Sequence, residues 1–280
     1  MSNCSNCPSN GNCNKDKESC GIKNNPNNHI GKIIAVMSGK GGVGKSTMTV
    51  LLAKAYAAMG FSVGIMDADI TGPSIPRLMG LEKEKAYGNG NQEILTVDDK
   101  DGIKTMSINY LIDEENTPVI WRGPIIANAI KQFYNEVIWG DLDVLFIDMP
   151  PGTGDVALTV MQSLPISGVI MVSTPQPMVS MIVSKAINML KQMNVKVFGV
   201  IENMAYIECP DCGKKIQLHQ SNVEEFVKEN QVECLGELPM NNGFSNIRDD
   251  ESLPEKDRQQ IIELIMPMAQ KIIHLSESKK

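Results

Sequence analysis

The sequence predicts an α/β fold with a doubly wound, mostly parallel sheet flanked by helices, preceded by a cysteine-rich tail. From residue 30 onward, apolar runs of strand length alternate with segments of helical periodicity, which is the order that builds parallel sheets. Residues 1–29 contain almost no apolar side chains, so they cannot bury enough surface to offset the entropy of ordering. We therefore divide the chain into a flexible tail, 1–29, and one domain, 30–280.

The predicted elements follow one another with short connections. They are strand 33–37, helix 46–59, strand 63–66, a strand ending at Asp148, strand 168–173, helix 178–193, strand 197–202, helix 222–229, strand 233–238 and helix 255–274. The last helix contains Pro267 and lacks a basic face. We therefore expect it to pack on the domain rather than lie on a membrane surface.

Net charge and hydropathy argue against a nucleic-acid-binding protein and against a membrane protein. A formal net charge of -7 over 280 residues gives no basic field for attraction to nucleic acid phosphates. No stretch approaches the roughly 20 apolar residues of a membrane span, and the N-terminus lacks the features of a signal peptide. We expect a cytoplasmic protein that binds neither nucleic acid nor membranes. In a reducing compartment, clustered cysteines more often bind metal or do redox chemistry than form disulfides.

A glycine-rich segment, SGKGGVGKST, connects the first strand to the first helix. Its glycines at 39, 41, 42 and 44 permit unusual dihedrals, so that successive amide groups converge on phosphate oxygens beside the positive end of the helix. The pattern G-x-x-x-x-G-K-S places Lys45 at the β and γ phosphates and Ser46 on magnesium. The predicted nucleotide-binding residues of this loop are Gly39, Lys40, Gly41, Gly42, Val43, Gly44, Lys45, Ser46 and Thr47.

Three acidic residues are predicted at the carboxyl ends of parallel strands, and they meet at one crevice. Asp67 and Asp69 alternate with Ala68, so one can face the water shell of a metal while the other faces an attacking water. Asp148 fits a magnesium-facing acid, and the PPGTGD segment after it fits a switch that senses the γ phosphate. The alternative is that Asp67 and Asp69 are solvated loop acids.

The segment SGKGGVGKST resembles the deviant phosphate loop of the ATPases that include the nitrogenase iron protein and the Min-type and ParA-type proteins. In that group the lysine matching Lys40 reaches across a dimer interface to the partner's nucleotide, which implies that hydrolysis and dimer geometry are coupled. The resemblance assigns water activation to Asp69, a magnesium-side role to Asp67 and contact with the base to Asn203. From spacing alone, the alternatives are a solvated loop lysine at Lys40 and a turn-forming residue at Asn203.

Three longer blocks resemble the Mrp-type iron-sulfur carrier ATPases, which include the eukaryotic cytosolic scaffold proteins for cluster assembly. The blocks are DADITGPSIPRLMG, VIWRGPIIANAIKQFYNEVIWGDLDVLFIDMPPGTGD and NMAYIECPDCGKK, and the resemblance covers residues 30–255. ParA-type and Min-type proteins lack both the WRGP segment and the C-P-x-C. The resemblance implies a P-loop ATPase that assembles iron-sulfur clusters and transfers them to apoproteins.

Cys209 and Cys212 form a C-x-x-C pair whose thiolates can converge on one metal. A tetrahedral zinc or a four-iron cluster usually needs four ligands, which two such pairs supply at the two-fold axis of a homodimer. In the family, this pair bridges two subunits through a labile 4Fe-4S cluster. The alternative is a zinc knuckle completed by His219 and Cys234, although Cys234 also fits a buried core thiol.

The tail has the pattern C-x2-C-x5-C at Cys4, Cys7 and Cys13. It resembles the N-terminal cluster motif of the eukaryotic-type scaffold, whose fourth cysteine lies upstream of the other three. Here Cys20 is the predicted fourth ligand of a second 4Fe-4S cluster, because the six residues between Cys13 and Cys20 span the separation of cluster ligands. A three-cysteine site with an exogenous ligand, or a zinc site, are the alternatives.

We therefore expect a dimeric ATPase that uses ATP and Mg²⁺ and delivers 4Fe-4S clusters to apo iron-sulfur proteins. Two other functions share parts of this pattern. One is an ATP-driven electron-transfer protein like the nitrogenase iron protein, and the other is a positioning switch of the Min or ParA type.

Overall fold

A computed structural model of the chain describes residues 25–90, 93–112, 121, 123–217, 223–247 and 253–278. The strands are β1 (His29–Ser38), β2 (Val63–Asp67), β3 (Ile94–Leu95), β4 (Val97–Asp98), β5 (Lys104–Met106), β6 (Val137–Ile138), β7 (Asp141–Asp148), β8 (Gly168–Ser173), β9 (Val197–Glu208), β10 (Lys215–Ile216) and β11 (Cys234–Pro239). The helices are α1 (Lys45–Ala58), α2 (Ile75–Met79), α3 (Gly123–Asn135), α4 (Asp155–Ser163), α5 (Pro177–Gln192), α6 (Val223–Asn230) and α7 (Glu255–Glu277). Every helix and strand predicted from the sequence is present.

Nine of the described strands form one sheet in the order β10-β9-β8-β1-β7-β2-β5-β4, with β11 also paired to β9. The pairs from β11 through β5 are parallel, while β4 and β10 add to the sheet antiparallel. The predicted fold class is therefore confirmed. Because the parallel strands share one direction, their carboxyl ends lie along one edge of the sheet. We call this the carboxyl edge and the opposite side the amino edge.

Two hydrophobic cores cover the two faces of the sheet. One core holds apolar side chains of α3, α4 and α5, and the other holds those of α1, α2 and α7. Helix α7 keeps Pro267 inside it and buries Ile261, Ile265, Met268, Ala269 and Ile272, so it packs on the domain as predicted. Among the described helices, none combines the length and apolar content needed to cross a membrane.

The described chain enters the domain at the amino edge of the sheet. The Asn28 side chain accepts hydrogen bonds from the amides of Trp139 and Gly140 at 2.7 and 3.0 Å and donates to the Val137 carbonyl at 2.8 Å. The His29 amide donates to the Gly140 carbonyl at 2.9 Å. Residues before 25, including the predicted tail ligands Cys4, Cys7, Cys13 and Cys20, lie outside the described residues, so the tail stays a prediction.

A buried ion pair holds α1 against the turn between β4 and β5. The Lys54 Nζ lies 3.1 Å from Oδ2 of Asp99 and 3.2 Å from Oδ2 of Asp101. The other oxygen of Asp99 accepts the amides of Asp101 and Ile103. Because Asp99 has no solvent exposure, its charge depends on these partners.

We predict that Lys54→Met lowers the free energy of unfolding by about 3 kcal/mol, because it leaves the Asp99 carboxylate buried without its cation. The matched control is Asp101→Asn, which removes the 43% exposed partner of the same lysine and costs less than about 1 kcal/mol. Urea denaturation of the three proteins measures both values. Equal losses in the two variants would contradict the prediction.

Candidate functional site

The glycine-rich loop has the backbone geometry that an anion site needs. Gly42 and Gly44 adopt φ values of 79° and 84°, in the left-handed region that favours glycine. Gly44 precedes α1, and no side chain caps the first turn of the helix. The amide groups that open α1 are therefore free of a side-chain cap, at the helix end where phosphate binds most favourably.

A cavity of about 460 Å³ opens beside this loop, within the size range of small-molecule sites. It is lined by Ser38, Gly41, Gly42, Gly44, Lys45, Ser46, Thr47, Asp69, Ser74, Arg77, Leu78, Pro151 and Asn246. Of the predicted binding residues, Gly39, Lys40, Val43, Asp67, Asp148 and Asn203 do not line it. Gly39 instead packs on α5, where a Cβ would come within 2.8 Å of Ile182.

The floor of the site is a network around Asp148, the last residue of β7. The Lys45 Nζ lies 2.8 Å from Oδ1 of Asp148. Ser46 donates to Oδ2 at 2.6 Å, and the Thr49 hydroxyl lies 3.0 Å from Oδ1. Asp148 is fully buried, so the lysine and the two hydroxyls together stabilise its charge. Sequence reasoning found Lys45, Ser46 and Asp148 but missed Thr49, which lies one helical turn beyond Lys45.

Asp67 lies beside Asp148, to which it is paired in the register of β2 and β7. It is buried and accepts the Asp69 amide at 3.1 Å and the Ser107 hydroxyl at 3.1 Å. Burial, and then the neighbouring Asp148 charge, raise the pKa of Asp67 to about 8, against the opposing effect of Lys45. Sequence reasoning missed Ser107, although its position after β5 places it at the same edge.

Asp69 is the acid that lines the cavity. Its Oδ2 lies 3.8 Å from the Lys45 Nζ, and burial is the largest cause that raises its pKa. Lys45 thus lies near the carboxylates of Asp69 and Asp148, while the carboxyl group of Asp67 is buried beside them. The surplus of negative charge and the oxygen-only donor set fit a magnesium ion that is completed by phosphate oxygens and water. Within the described residues, no three His, Cys, Asp or Glu side chains form a ready metal site.

Asn203 lies inside β9 rather than at the end of a strand, because β9 continues to Glu208. The predicted end of this strand at residue 202 and the alternative of a turn-forming Asn203 are therefore wrong. The side chain is buried, and its Nδ2 donates to the Val43 carbonyl at 2.9 Å. Its Oδ1 is buried and has no hydrogen-bond partner among the described residues. This oxygen is available to a donor group of a ligand.

Lys40 does not line the cavity of its own chain. Its Nζ donates to Oε1 of Gln176 at 2.6 Å, in the segment between β8 and α5. The side chain is part of an exposed surface, so its predicted reach to a partner's nucleotide stays a prediction.

Cys209 and Cys212 lie at the turn between β9 and β10, away from the cavity lining. The Cys209 amide donates to the Lys214 carbonyl at 3.0 Å, and the Gly213 amide donates to the Cys209 carbonyl at 2.8 Å. Gly213 has φ 68°, which closes the turn. Amides of Asp211 and Cys212 donate to the Cys209 sulfur and lower the pKa of this thiol. The lowered pKa of Cys209 favours its thiolate form, which binds metals, and Cys212 beside it is exposed.

Cys234 does not join this pair. It lies beside Val200 in the β9–β11 register, nine residues before Cys209, which separates the sulfurs by more than about 15 Å. The knuckle that includes Cys234 is therefore wrong, and His219 lies outside the described residues. Cys234 is half-buried, and burial raises the pKa of its thiol.

The Gly44 conformation can be tested by substitution. We predict that Gly44→Ala destabilises the ligand-free protein by about 2 kcal/mol or more, because φ is 84° and the new Cβ would lie 2.3 Å from Nδ2 of Asn203. Gly41→Ala is the control in the same loop, where a Cβ meets no atom within 4 Å and the cost stays below about 1 kcal/mol. The measurement is urea unfolding without nucleotide, and an equal cost at both positions would refute it.

The raised pKa of Asp67 predicts a pH effect on stability. The folded protein holds the proton of the Asp67 carboxyl group up to pH about 8, whereas the unfolded chain releases it near the ordinary aspartate pKa of 3.8, so rising pH destabilises the fold across this window. Asp67→Asn cannot titrate, and we expect its stability relative to wild type to rise by about 1 kcal/mol or more between pH 4.5 and 7.5. Denaturation of both ligand-free proteins across this range measures the difference. A stability difference between the two proteins that stays constant across this pH range would contradict the raised pKa of Asp67.

The chain matches the family described as ParA, NUBPL iron-transfer P-loop NTPase, over residues 29–273. Iron-sulfur cluster carrier proteins are among its relatives. The one from Methanocaldococcus jannaschii is 46% identical over 244 residues, covering 85% of this chain and 83% of that protein. The one from Clostridium perfringens is 49% identical over 220 residues, covering 76% and 77%.

Solved structures agree with this assignment. A nucleotide-binding protein from Archaeoglobus fulgidus, in complex with ADP and with Co found, has a TM-score of 0.68 and 42% identity, covering 85% of this chain and 88% of that one. A chain of the MinC:MinD cell division protein complex from Aquifex aeolicus has a TM-score of 0.63, covering 89% and 97%, and at 21% identity it shows the fold alone. The chain belongs to the NUBPL iron-transfer P-loop NTPase family, as a Mrp-type iron-sulfur cluster carrier P-loop protein.

Proposed function

We propose that the protein binds and hydrolyses ATP, assembles a 4Fe-4S cluster on a homodimer and transfers it to apo iron-sulfur proteins. The observation that carries the proposal is the presence, in one chain, of a phosphate-loop cavity and of a free cysteine pair, Cys209 and Cys212, that supplies two sulfur ligands. The iron-sulfur cluster carriers among its relatives support the proposal that the cargo is an iron-sulfur cluster. The ADP complex of the Archaeoglobus protein supports the proposal that the cavity binds an adenine nucleotide. The cytoplasmic location stays a prediction.

The residues around the cavity divide the work of phosphate transfer. The loop amides and Lys45 bind the β and γ phosphates, which draws Lys45 away from Asp148. Ser46 and Asp148, with Asp67 behind them, hold Mg²⁺, which neutralises charge on the phosphate oxygens when bound. Asp69 lines the cavity with a raised pKa, so it is the residue suited to orient and accept a proton from the attacking water.

Asn203 favours adenine over guanine. One N–H of its Nδ2 donates to the Val43 carbonyl, and its Oδ1 is the atom without a partner among the described residues, so the side chain offers the ligand an unpaired acceptor. Adenine carries an exocyclic amino donor where guanine carries a carbonyl acceptor. A guanine carbonyl facing Oδ1 would leave both oxygens unpaired, which costs free energy in a buried site. ATP is therefore the proposed nucleotide.

The cluster is the cargo of this protein and binds where two chains meet. Two thiolates per protomer become four at a two-fold axis, which completes the ligand set of a 4Fe-4S cluster. In this dimer, Lys40 is free to exchange Gln176 for the partner's nucleotide. The exposed turn that carries the pair gives a recipient protein access to the cluster. A second cluster on Cys4, Cys7, Cys13 and Cys20 belongs to the same proposal.

Anaerobic reconstitution with iron and sulfide, followed by transfer to apo-aconitase, tests the proposal. We expect Cys209→Ala/Cys212→Ala to lose cluster transfer while it keeps ATP hydrolysis, because the cysteines lie outside the cavity. Lys45→Ala should lower ATP hydrolysis by about a hundredfold or more, since it removes the cation nearest the transferred phosphate. Cys234→Ala is the cysteine control and should transfer normally. Transfer at the wild-type rate by the double cysteine variant would overturn the proposal.

A further inference from the structure

Strand β9 joins the nucleotide site to the cysteine pair within one chain. We propose that Asn203 senses the nucleotide and that Met204, the next residue, is a hinge through which the nucleotide controls the geometry of Cys209 and Cys212. This inference rests on the proposed function and adds its regulation. It differs from control through dimer geometry because every contact in the route lies in a single protomer.

The first step of the route is the contact between the phosphate loop and β9. The Asn203 Nδ2 donates to the Val43 carbonyl at 2.9 Å. The same nitrogen lies so close to Gly44 that a Cβ there would be 2.3 Å away. Residues 43 and 44 thus cannot shift on phosphate binding without moving the Asn203 side chain or losing its hydrogen bond.

The second step is the unmet hydrogen bond of Asn203. Its Oδ1 is buried and has no partner among the described residues, which is unfavourable in the ligand-free state. Asn203 does not line the cavity in this structure, so a donor on the bound nucleotide would remove this cost only in a second conformation of the side chain that faces the cavity. Ligand binding therefore has a differential interaction with two states of this side chain, which is the requirement for a conformational shift.

The third step is the backbone of Met204. Its φ is 56°, in the left-handed region that non-glycine residues rarely adopt, although it lies inside a strand. The pairing of β11 with β9 shifts register between Glu237 and Pro239, the partners of Glu202 and Tyr206. The strand is thus irregular around Met204, at the residue after the sensing side chain. A strained single residue between two paired segments is a suitable hinge.

The fourth step is the rigid segment beyond the hinge. Tyr206 pairs with Pro239, Ile207 with Ile216 and Glu208 with Lys215. Cys209 follows at once and is tied to Lys214 by its amide. A rotation at Met204 therefore moves the turn with both cysteines as one unit, together with the end of β11 that is paired to Tyr206. At a two-fold axis, such a tilt changes the separation of the two thiolate pairs and so the fit of the cluster.

The PPGTGD segment is the other element close to the loop, and it offers no comparable route. The Gly152 amide donates to the Ser38 carbonyl at 2.8 Å, so this segment touches the strand before the phosphate loop. It contains no cysteine and leads into α4 rather than to the cysteine turn. The direct covalent connection from the nucleotide site to Cys209 is β9.

Alkylation of the metal-free, reduced full chain tests the route, with iodoacetamide and mass spectrometry reading each cysteine separately. In wild type, ATP with Mg²⁺ should change the alkylation rate of Cys209 and Cys212 by at least about fivefold. Met204→Gly removes the strain at the hinge. In this variant we expect ATP still to bind but to change the alkylation rate of Cys209 and Cys212 by less than about twofold. Cys234 is the internal reference and should not respond.

The chain offers matched controls at Asn194 and Gln231, the other non-glycine residues with left-handed φ among the described residues, at 56° and 52°. They follow α5 and α6, off the route, so Asn194→Gly and Gln231→Gly should keep the wild-type response. Hydrogen exchange of wild type serves as a second measurement, in case Met204→Gly fails to fold. We expect ATP to change amide protection in 204–216.

An unchanged alkylation rate in wild type, a full response in Met204→Gly, or unchanged exchange in 204–216 would each overturn the hinge. These measurements use protein without a cluster. Their failure is therefore distinguishable from failure of the proposed function, which appears as cluster transfer without Cys209 and Cys212 or as absent ATP hydrolysis.

Discussion

The ion pair of 2.8 Å between the Lys45 Nζ and Oδ1 of Asp148 joins the phosphate loop to the central strands. Both groups are almost fully buried, so each charge is tolerable only because the other is present. The pair is possible because β7 lies between β1 and β2 in parallel register, which places Asp148 beside Val36 and Asp67. The cavity, the acid pair and the start of α1 all depend on this register.

The same arrangement makes the ligand-free site electrostatically unfavourable. Lys45 lies near both Asp69 and Asp148, while Asp67 sits behind them with a raised pKa. In the proposed function, Mg²⁺ with nucleotide phosphates would change this balance, because the metal would add positive charge next to the carboxyl groups and the phosphates would give Lys45 a new anion. Bound nucleotide and Mg²⁺ would in this way increase the stability of the folded protein.

Much of this site follows from local sequence. Gly42 and Gly44 of the loop adopt positive φ values, which explains why glycine stands at these positions. Asp67 and Asp148 lie at strand ends that the apolar runs already indicate. What local patterns miss are contacts made by pairing between distant segments. Ser107 reaches Asp67 from β5, and β9 extends past Asn203 because β11 and β10 pair with it. A period-two pattern cannot reveal such partners, and it cannot reveal the left-handed Met204 between them.

The fold separates the point where the described chain enters the domain from the cysteine pair at Cys209 and Cys212. Asn28 fixes the chain at the amino edge, and Cys20 lies eight residues before it, so Cys20 reaches at most about 29 Å from that point. The ten residues of β1 already span about 30 Å to the carboxyl edge, where Asn203 touches the phosphate loop, and Cys209 lies six residues further. Two-fold symmetry leaves the distance from each anchor to a shared cluster unchanged. Where Cys20 ligates a tail cluster, as the sequence predicts, this reach falls short of Cys209 in the same dimer, and we expect passage between the two sites to require another molecule.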